Sequence, residues 1–219
     1  MKILSWAQIV ERFSRLTGGS SPGQRKNNEY ARLSLRRLED RRVLNGAPVT
    51  AGVTVEDMKG AVVVNVQGPA PGNHTGHDFK ISTDTRQGQI QLELTDHGTI
   101  LYEAELNKFK SLTIQTNGHN NTLTIDFSNG NPLPHGGLFF VDTGTAAGGA
   151  SNDVLQIVHG SASSVGYSFD SASAGHIDIT SGSSTSTIGW SGSSVQIQDQ
   201  LLAATRSFSV GLGGQVDLS

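Results

Sequence analysis

Cysteine is absent from this chain of 219 residues. The chain therefore has no disulfide, no thiolate zinc site and no cysteine nucleophile, and its stability must come from apolar burial and backbone hydrogen bonds. Long apolar runs are also lacking, because Glu11 and Arg12 interrupt the first apolar segment and Asn45, Gly46 and Pro48 interrupt a second. We therefore expect no transmembrane helix.

Basic residues are scarce in most of the chain. Residues 1–48 carry ten Lys and Arg against four acids, a net charge of +6, whereas residues 49–219 carry six against fifteen, a net charge of −9. Beyond Lys110 the sequence has a single basic side chain, Arg206. Because so acidic a region repels a phosphate backbone, we expect no nucleic-acid partner.

Residues 1–48 have the pattern of a basic, helical N-terminal region. Apolar residues recur at spacings of three and four from Ile3 to Leu16, which predicts a short amphipathic helix that ends at Gly18 and Gly19. A second short helix is predicted with Asn28 as its N-cap and Gly46 as its C-terminal stop.

The second predicted helix contains the segment "RLSLRRLEDRRVLNG", with five arginines from Arg32 to Arg42. This segment resembles the N-terminal sorting-type motif R-L-x-x-E-x-L-E-x-R-x-L-L near the start of many large exported planctomycete surface proteins. The matching positions are Arg32, Leu33, Leu38, Glu39, Arg41 or Arg42, and Leu44, while the first Glu and one Leu of the motif are replaced around Arg36 and Val43.

This resemblance implies export, with the arginines holding the N-terminal side in the cytoplasm before translocation. It predicts an extracellular or cell-surface protein whose N-terminal region meets the export machinery. The ordinary alternative is a solvated, charged helix face with no special partner. The export route and any cleavage site stay open.

From residue 60 onward the apolar period changes to two, which is typical of strands. Eleven segments fit: AVVVNVQ, DFKISTD, QIQLELTD, TILYEAEL, SLTIQT, NTLTIDF, GLFFVDT, DVLQIV, GHIDIT, SVQIQD and QVDLS. Small-residue linkers such as GTAAGGASN and SGSSTSTIG vary in length, which favours stacked turns over tight hairpins. We predict that residues 49–219 form an all-β, parallel β-helix or solenoid-like repeat region, with a β-sandwich as the alternative. We also expect the natural array to continue beyond QVDLS, or this chain to be a truncated member.

The strand-rich half is similar to repeat units of the same planctomycete surface proteins. The likeness covers roughly residues 60–219 and is carried by short motifs in matching order: Asp126-Phe127, Gly130-Asn131-Pro132, Gly136-Gly137 and Asn152-Asp153, then Tyr167, Phe169, Gly175, Ile188, Gly192 and Asp199. It implies a parallel β-helix-like architecture on an exported protein.

The most specific chemical hypothesis for these repeats is that a loop binds calcium. The segment "GGASNDVLQ", Gly148 to Gln156, differs at Ser151 from the G-G-x-G-x-D-x-U-x loop that holds Ca²⁺ between stacked turns. One copy is half a site, and a neighbouring stretch has Asn121 where a carboxylate is expected. We therefore predict no bound metal and favour a turn in which Asn152 and Asp153 hydrogen-bond the backbone.

Other candidate sites are weaker. His74, His77 and Asp78 form a small group of metal-ligand types in a loop without a third well-spaced imidazole. Gly19 to Gly23 matches G-x-S-x-G but lies between two predicted helices, and Pro22 lacks the N–H that an oxyanion hole needs. Aspartates elsewhere are scattered, so we predict no catalytic residues and no cofactor.

Three function classes remain. The first is a noncatalytic cell-surface or secreted structural or adhesive repeat protein. The second is an extracellular glycan-binding module, in which Trp190 and Tyr167 would stack on sugar or else be core residues of the repeats. The last is a β-helix enzyme that degrades polysaccharides. The partner would be a cell-envelope or extracellular polysaccharide.

Overall fold

A computed structural model describes residues 52–67, 76–118, 120–144, 152–192 and 195–211. The two predicted helices, the arginine-rich segment, His74 and the predicted strand QVDLS lie outside the described residues. All of the described residues belong to one compact unit, Asn45–Ser219.

The described residues form an all-β fold in which the only helical segment is a 3₁₀ turn, Leu106–Lys108. The first seven strands are β1 (Val53–Met58), β2 (Ala61–Val66), β3 (Asp78–Arg86), β4 (Gln89–Asp96), β5 (Thr99–Glu105), β6 (Ser111–Thr116) and β7 (Thr122–Asp126). The other seven are β8 (Leu138–Asp142), β9 (Asp153–Val158), β10 (Ser161–Ser171), β11 (Ala174–Ser181), β12 (Ser184–Ser191), β13 (Val195–Asp199) and β14 (Leu202–Val210). No helix among the residues described is long and apolar enough to cross a membrane.

The strands form two mixed sheets. Sheet A has eight strands in the order β1-β2-β6-β8-β12-β11-β10-β14, and sheet B has six in the order β13-β9-β7-β3-β4-β5. In each sheet, strands that are distant in sequence pair in parallel, whereas strands joined by short turns pair antiparallel. The arrangement is sandwich-like, since the buried side chains of both sheets belong to one core.

The chain passes repeatedly between the two sheets. It crosses from sheet A to sheet B after β2, β6, β8 and β12, and the strands reached are β3, β7, β9 and β13. The strands from which the chain leaves sheet A lie parallel to one another in one register: Val62 pairs with Leu112, Leu112 with Leu138, and Leu138 with Ile188.

Alternation of side chains along each strand explains how the core is filled. In sheet A the registered row of Val62, Leu112, Leu138 and Ile188 is at most 1% exposed. In sheet B, Phe79 pairs with Leu123 and Leu123 with Leu155, and all three are fully buried. A single strand has too little apolar surface to be stable alone, so each strand depends on its neighbours in the stack.

Antiparallel hairpins account for the mixed character of the sheets. The turns Gln87-Gly88 and His97-Gly98 have positive φ at both central residues, 53° and 78° in the first and 48° and 74° in the second. Paired positive φ values match the twist of two-residue hairpins, and glycine adopts them without a steric penalty. The purely parallel stacking predicted from the sequence is therefore too simple.

One predicted linker is a strand. The segment SGSSTSTIG was expected to be a loop, but Ser184–Ser191 forms β12 in the middle of sheet A. Its apolar residues Ile188 and Trp190 point into the core, and its hydroxyls bond across strands, as Thr180 Oγ1 does with Thr185 Oγ1 at 3.0 Å. Serine and threonine thus supply the outer face of a strand whose inner face is apolar.

Candidate functional site

The aspartate of the calcium-like loop is a buried structural group. Asp153 Oδ1 accepts a hydrogen bond from the backbone N–H of Asn121 at 2.8 Å, and Oδ2 accepts one from Thr116 Oγ1 at 3.0 Å. Burial raises the pKa of Asp153, although these hydrogen bonds oppose the shift. Residues 148–151 of the loop lie outside the described part of the chain. The carboxylate oxygens of Asp153 accept from donors at the end of β6 and just before β7, and whether the whole predicted turn forms stays a prediction.

His77 belongs to a different group from the one that the sequence suggested. Its Nδ1 lies 2.9 Å from Asp96 Oδ2, and His97 Nδ1 lies 2.7 Å from Asp96 Oδ1. Asp78 contributes its backbone N–H to Asp96 Oδ1 at 3.1 Å rather than its carboxylate. This group could not be predicted from the sequence, because it depends on the register of β3 with β4, which sets Phe79 opposite Asp96.

The His77, Asp96 and His97 side chains form a hydrogen-bonded cluster. Its ligand-type atoms lie within 4.8 Å of one another, so the residue types and spacing suit a metal ion. However, each imidazole Nδ1 already faces one oxygen of Asp96, which is fully buried. Burial alone would raise the pKa of Asp96, but the hydrogen bond and charge of His77 outweigh it, and the pKa is lowered.

A third buried carboxylate, that of Asp126, connects segments of sheet B. Asp126, at the end of β7, accepts from Lys80 Nζ at 2.7 Å and from the backbone N–H of Ser128 at 2.9 Å, and its Oδ1 lies 2.8 Å from His159 Nδ1. Burial by itself would raise the pKa of Asp126, but the contacts with Lys80 and His159 prevail and hold it far below its usual range.

Tyr167, one of the two predicted sugar-stacking residues, is part of the core. It is 6% exposed, its ring stacks on Phe208 with centroids 4.9 Å apart, and its hydroxyl donates to Asp199. Arg206 Nη2 also donates to Asp199 at 3.0 Å. Burial, reinforced by the carboxylate of Asp199, raises the pKa of Tyr167 strongly, so this hydroxyl is a fixed donor.

Trp190, the other predicted residue, is among the residues that line a surface groove of about 600 Å³ on sheet A. The indole is 7% exposed and packs edge-on against Phe169 at 5.6 Å. The exposed aromatic residue of the groove is Phe139 on β8, which is 43% exposed and was not singled out from the sequence. The groove lining also includes three ionisable side chains: Asp170, His176 and Asp178.

In the described part of the chain, Asp126, Asp153 and Asp199 thus bond to donors on neighbouring strands or turns, and Asp96 bonds to His77 and His97. They are spread over different parts of the described sheets rather than gathered in one cleft. Comparison with known proteins finds no matching family model, no matching curated protein and no matching solved structure.

Proposed function

We propose that this chain is a noncatalytic structural or adhesive module of an exported surface protein. The observation that carries the proposal is the repeated crossing between sheets from strands that stack in parallel and in register, which builds a scaffold from short strands. The buried carboxylates support the same reading, because their oxygens bond to groups of the fold itself.

The architecture we propose for the scaffold is a β-solenoid with hairpin insertions. Four crossings, β2 to β3, β6 to β7, β8 to β9 and β12 to β13, act as successive turns. The hairpins β3-β4-β5 and β10-β11-β12 widen one sheet at either end of the stack. The varied lengths of the connections fit this reading, because insertions in a solenoid are placed between turns.

Export is supported by the sequence of the N-terminal region. The segment Arg32 to Leu44 resembles a sorting-type motif of exported planctomycete surface proteins, and the net charge changes from +6 to −9 after residue 48. An arginine-rich segment before an acidic region fits a signal that acts before or during translocation. The residence we propose for the protein is therefore the cell surface or the extracellular medium.

The test of export compares the full chain with a variant in which Arg36, Arg37, Arg41 and Arg42 are changed to Gln. Both are expressed in a planctomycete host and located by cell fractionation. We expect the unaltered chain at the surface or in the medium and the variant retained in the cytoplasm. Equal distribution of the two chains would overturn the export function of this segment.

A second candidate function is glycan binding, and the groove on sheet A favours it. Phe139 presents an aromatic ring to solvent beside two carboxylates and an imidazole. An adhesive module needs such a contact surface, whereas a purely structural one does not.

A further inference from the structure

We propose that the groove over β8, β12 and β11 binds an uncharged oligosaccharide. The inference rests on the adhesive function proposed above and names its ligand. The groove's volume of about 600 Å³ lies within the range of about 300–1,000 Å³ that is usual for small-ligand sites.

Two glycines among the lining residues of the groove lie against aromatic rings. A Cβ at Gly189 would lie 2.8 Å from Phe139 Cδ1, so the missing side chain is what makes room for the ring on the neighbouring strand. A Cβ at Gly175 would lie 2.4 Å from Trp190 Cζ2, so the indole lies close against the backbone of β11. The groove therefore has one exposed aromatic ring, that of Phe139, and Trp190 is among its lining residues.

Polar groups flank the exposed ring in register. Phe139 pairs with Gly189, and Gly189 pairs with His176, so the imidazole lies in the same row as the phenyl ring. His176 Nδ1 is 3.3 Å from Asp170 Oδ2, and Asp178 Oδ1 accepts from Thr187 Oγ1 at 2.6 Å. Both carboxylates are well exposed and retain lone pairs for further donors.

This combination matches the chemistry of a pyranose ring. The face of a sugar ring carries weakly positive C–H groups, which pack against the negative face of an aromatic ring. Its edge carries adjacent hydroxyl groups, which donate well to carboxylates and exchange hydrogen bonds with an imidazole. Phe139 supplies the first contact, and Asp178 and His176 supply the second.

Other ligand classes fit less well. A peptide that binds by adding a strand needs a free sheet edge, but β8, β12 and β11 each have partners on both sides. Nucleic acids and acidic polysaccharides would be repelled by Asp170 and Asp178. An uncharged saccharide uses the aromatic ring and the acceptors together.

The test uses the purified full chain and a set of soluble hexasaccharides: the neutral cellohexaose, laminarihexaose, mannohexaose and xylohexaose, and the acidic hexagalacturonate. Binding is measured by calorimetry and by fluorescence. The chain has two tryptophans, Trp6 and Trp190. A Trp6→Phe background therefore makes Trp190, one of the lining residues of the groove, the only indole reporter.

We expect at least one neutral hexasaccharide to bind and to change the emission of Trp190, and hexagalacturonate to bind more weakly. Phe139→Ala should weaken binding about tenfold. Phe208→Ala is the matched control, because Phe208 is similarly exposed, 46% against 43%, but lies outside the groove lining. Asp178→Asn, which keeps the size of the side chain, should also weaken binding.

Three results would overturn the proposal: no neutral hexasaccharide binds at millimolar concentration, hexagalacturonate binds as tightly as the neutral ligands, or Phe208→Ala weakens binding as much as Phe139→Ala. Far-UV circular dichroism establishes that each variant is folded. Binding by the purified chain does not depend on where the cell places it, so failure here and failure of export are separate outcomes.

Discussion

Single carboxylates in this protein have opposite effects on stability, according to the groups that surround them. Asp126 lies beside Lys80 and His159, and its pKa is far below the usual range. Asp153 is buried among neutral donors, and its pKa is raised, chiefly by loss of solvent. Ionised Asp126 therefore stabilises the fold, whereas ionised Asp153 is held at a cost that its hydrogen bonds only partly offset.

The matched variants Asp126→Asn and Asp153→Asn test this difference. At pH 7 we expect Asp126→Asn to lower the free energy of unfolding by about 1 kcal/mol, a modest loss because Lys80 and His159 are substantially exposed. Asp153→Asn should not lower it, since the amide oxygen can accept from Asn121 and the amide nitrogen can donate to Thr116. Urea titration measures both.

The pH dependence of these variants has a defined sign. Because the folded-state pKa of Asp126 is depressed, its contribution is present above its unfolded pKa of about 3.9 and is lost as the pH falls through that value toward the folded pKa. The difference in free energy of unfolding between the unaltered chain and Asp126→Asn should therefore become smaller in acid. The raised pKa of Asp153 gives the reverse, a contribution that is lost as the pH rises from about 3.9 through the folded pKa. A loss of stability at pH 7 in Asp153→Asn equal to that in Asp126→Asn would contradict this assignment.

At the scale of the strand, side-chain alternation decides which residues hold the stack together. Leu138 and Phe139 are neighbours on β8, yet Leu138 is fully buried between Leu112 and Ile188, whereas Phe139 faces the groove. The contribution of a residue to the free energy of unfolding therefore depends more on whether its side chain points inward than on the size of that side chain.

Leu138→Ala is expected to lower the free energy of unfolding by about 2–5 kcal/mol, because it leaves a cavity in the middle of the sheet A row. Phe139→Ala, one residue along the strand, should lower it by less, because the Phe139 ring is 43% exposed and its removal leaves no cavity in the core. Thermal and urea unfolding compare the two. Equal losses would mean that β8 does not have the registered inward face described here.

The same alternation explains what the sequence could predict about the elements. Ten of the eleven predicted segments are strands, and the eleventh, QVDLS, lies outside the described residues. The strands β1, β10, β12 and β14 were missed. In β12, Ser and Thr fill the outer face and look like a loop, although Ile188 and Trp190 supply a buried inner face.

Pairing between distant strands was beyond sequence reasoning. Hairpins and parallel returns use similar short runs, so the sequence alone did not predict that the sheets would be mixed. The polar clusters also depend on strand pairing. His77 contacts Asp96 and lies near His97 because β3 and β4 pair, whereas the sequence had suggested a group of His77 with His74 and Asp78. The groove is likewise assembled from residues on four strands, β8, β10, β11 and β12.

At the scale of the whole β region, the account depends on parallel register between strands that are far apart in sequence. On the outer face of sheet B, Thr124 pairs with Gln156 and Gln156 pairs with Gln198. The side chains form a ladder, with Thr124 Oγ1 donating to Gln156 Oε1 at 3.3 Å and Gln156 Nε2 donating to Gln198 Oε1 at 2.8 Å. Such a ladder requires successive crossings to stack directly on one another.

Cysteine cross-linking of this ladder tests the stacking most directly, because the chain contains no cysteine of its own. The pair Gln156→Cys and Gln198→Cys lies on adjacent strands, about 4.8 Å apart, within reach of a disulfide. The control pair Thr124→Cys and Gln198→Cys lies two strands apart, about 9.6 Å, and is out of reach. Mild oxidation of the folded full chain followed by mass spectrometry should find the intramolecular disulfide in the first pair and free thiols in the second. Free thiols in the first pair, or equal cross-linking of both pairs, would contradict the stacked parallel register on which the proposed scaffold rests.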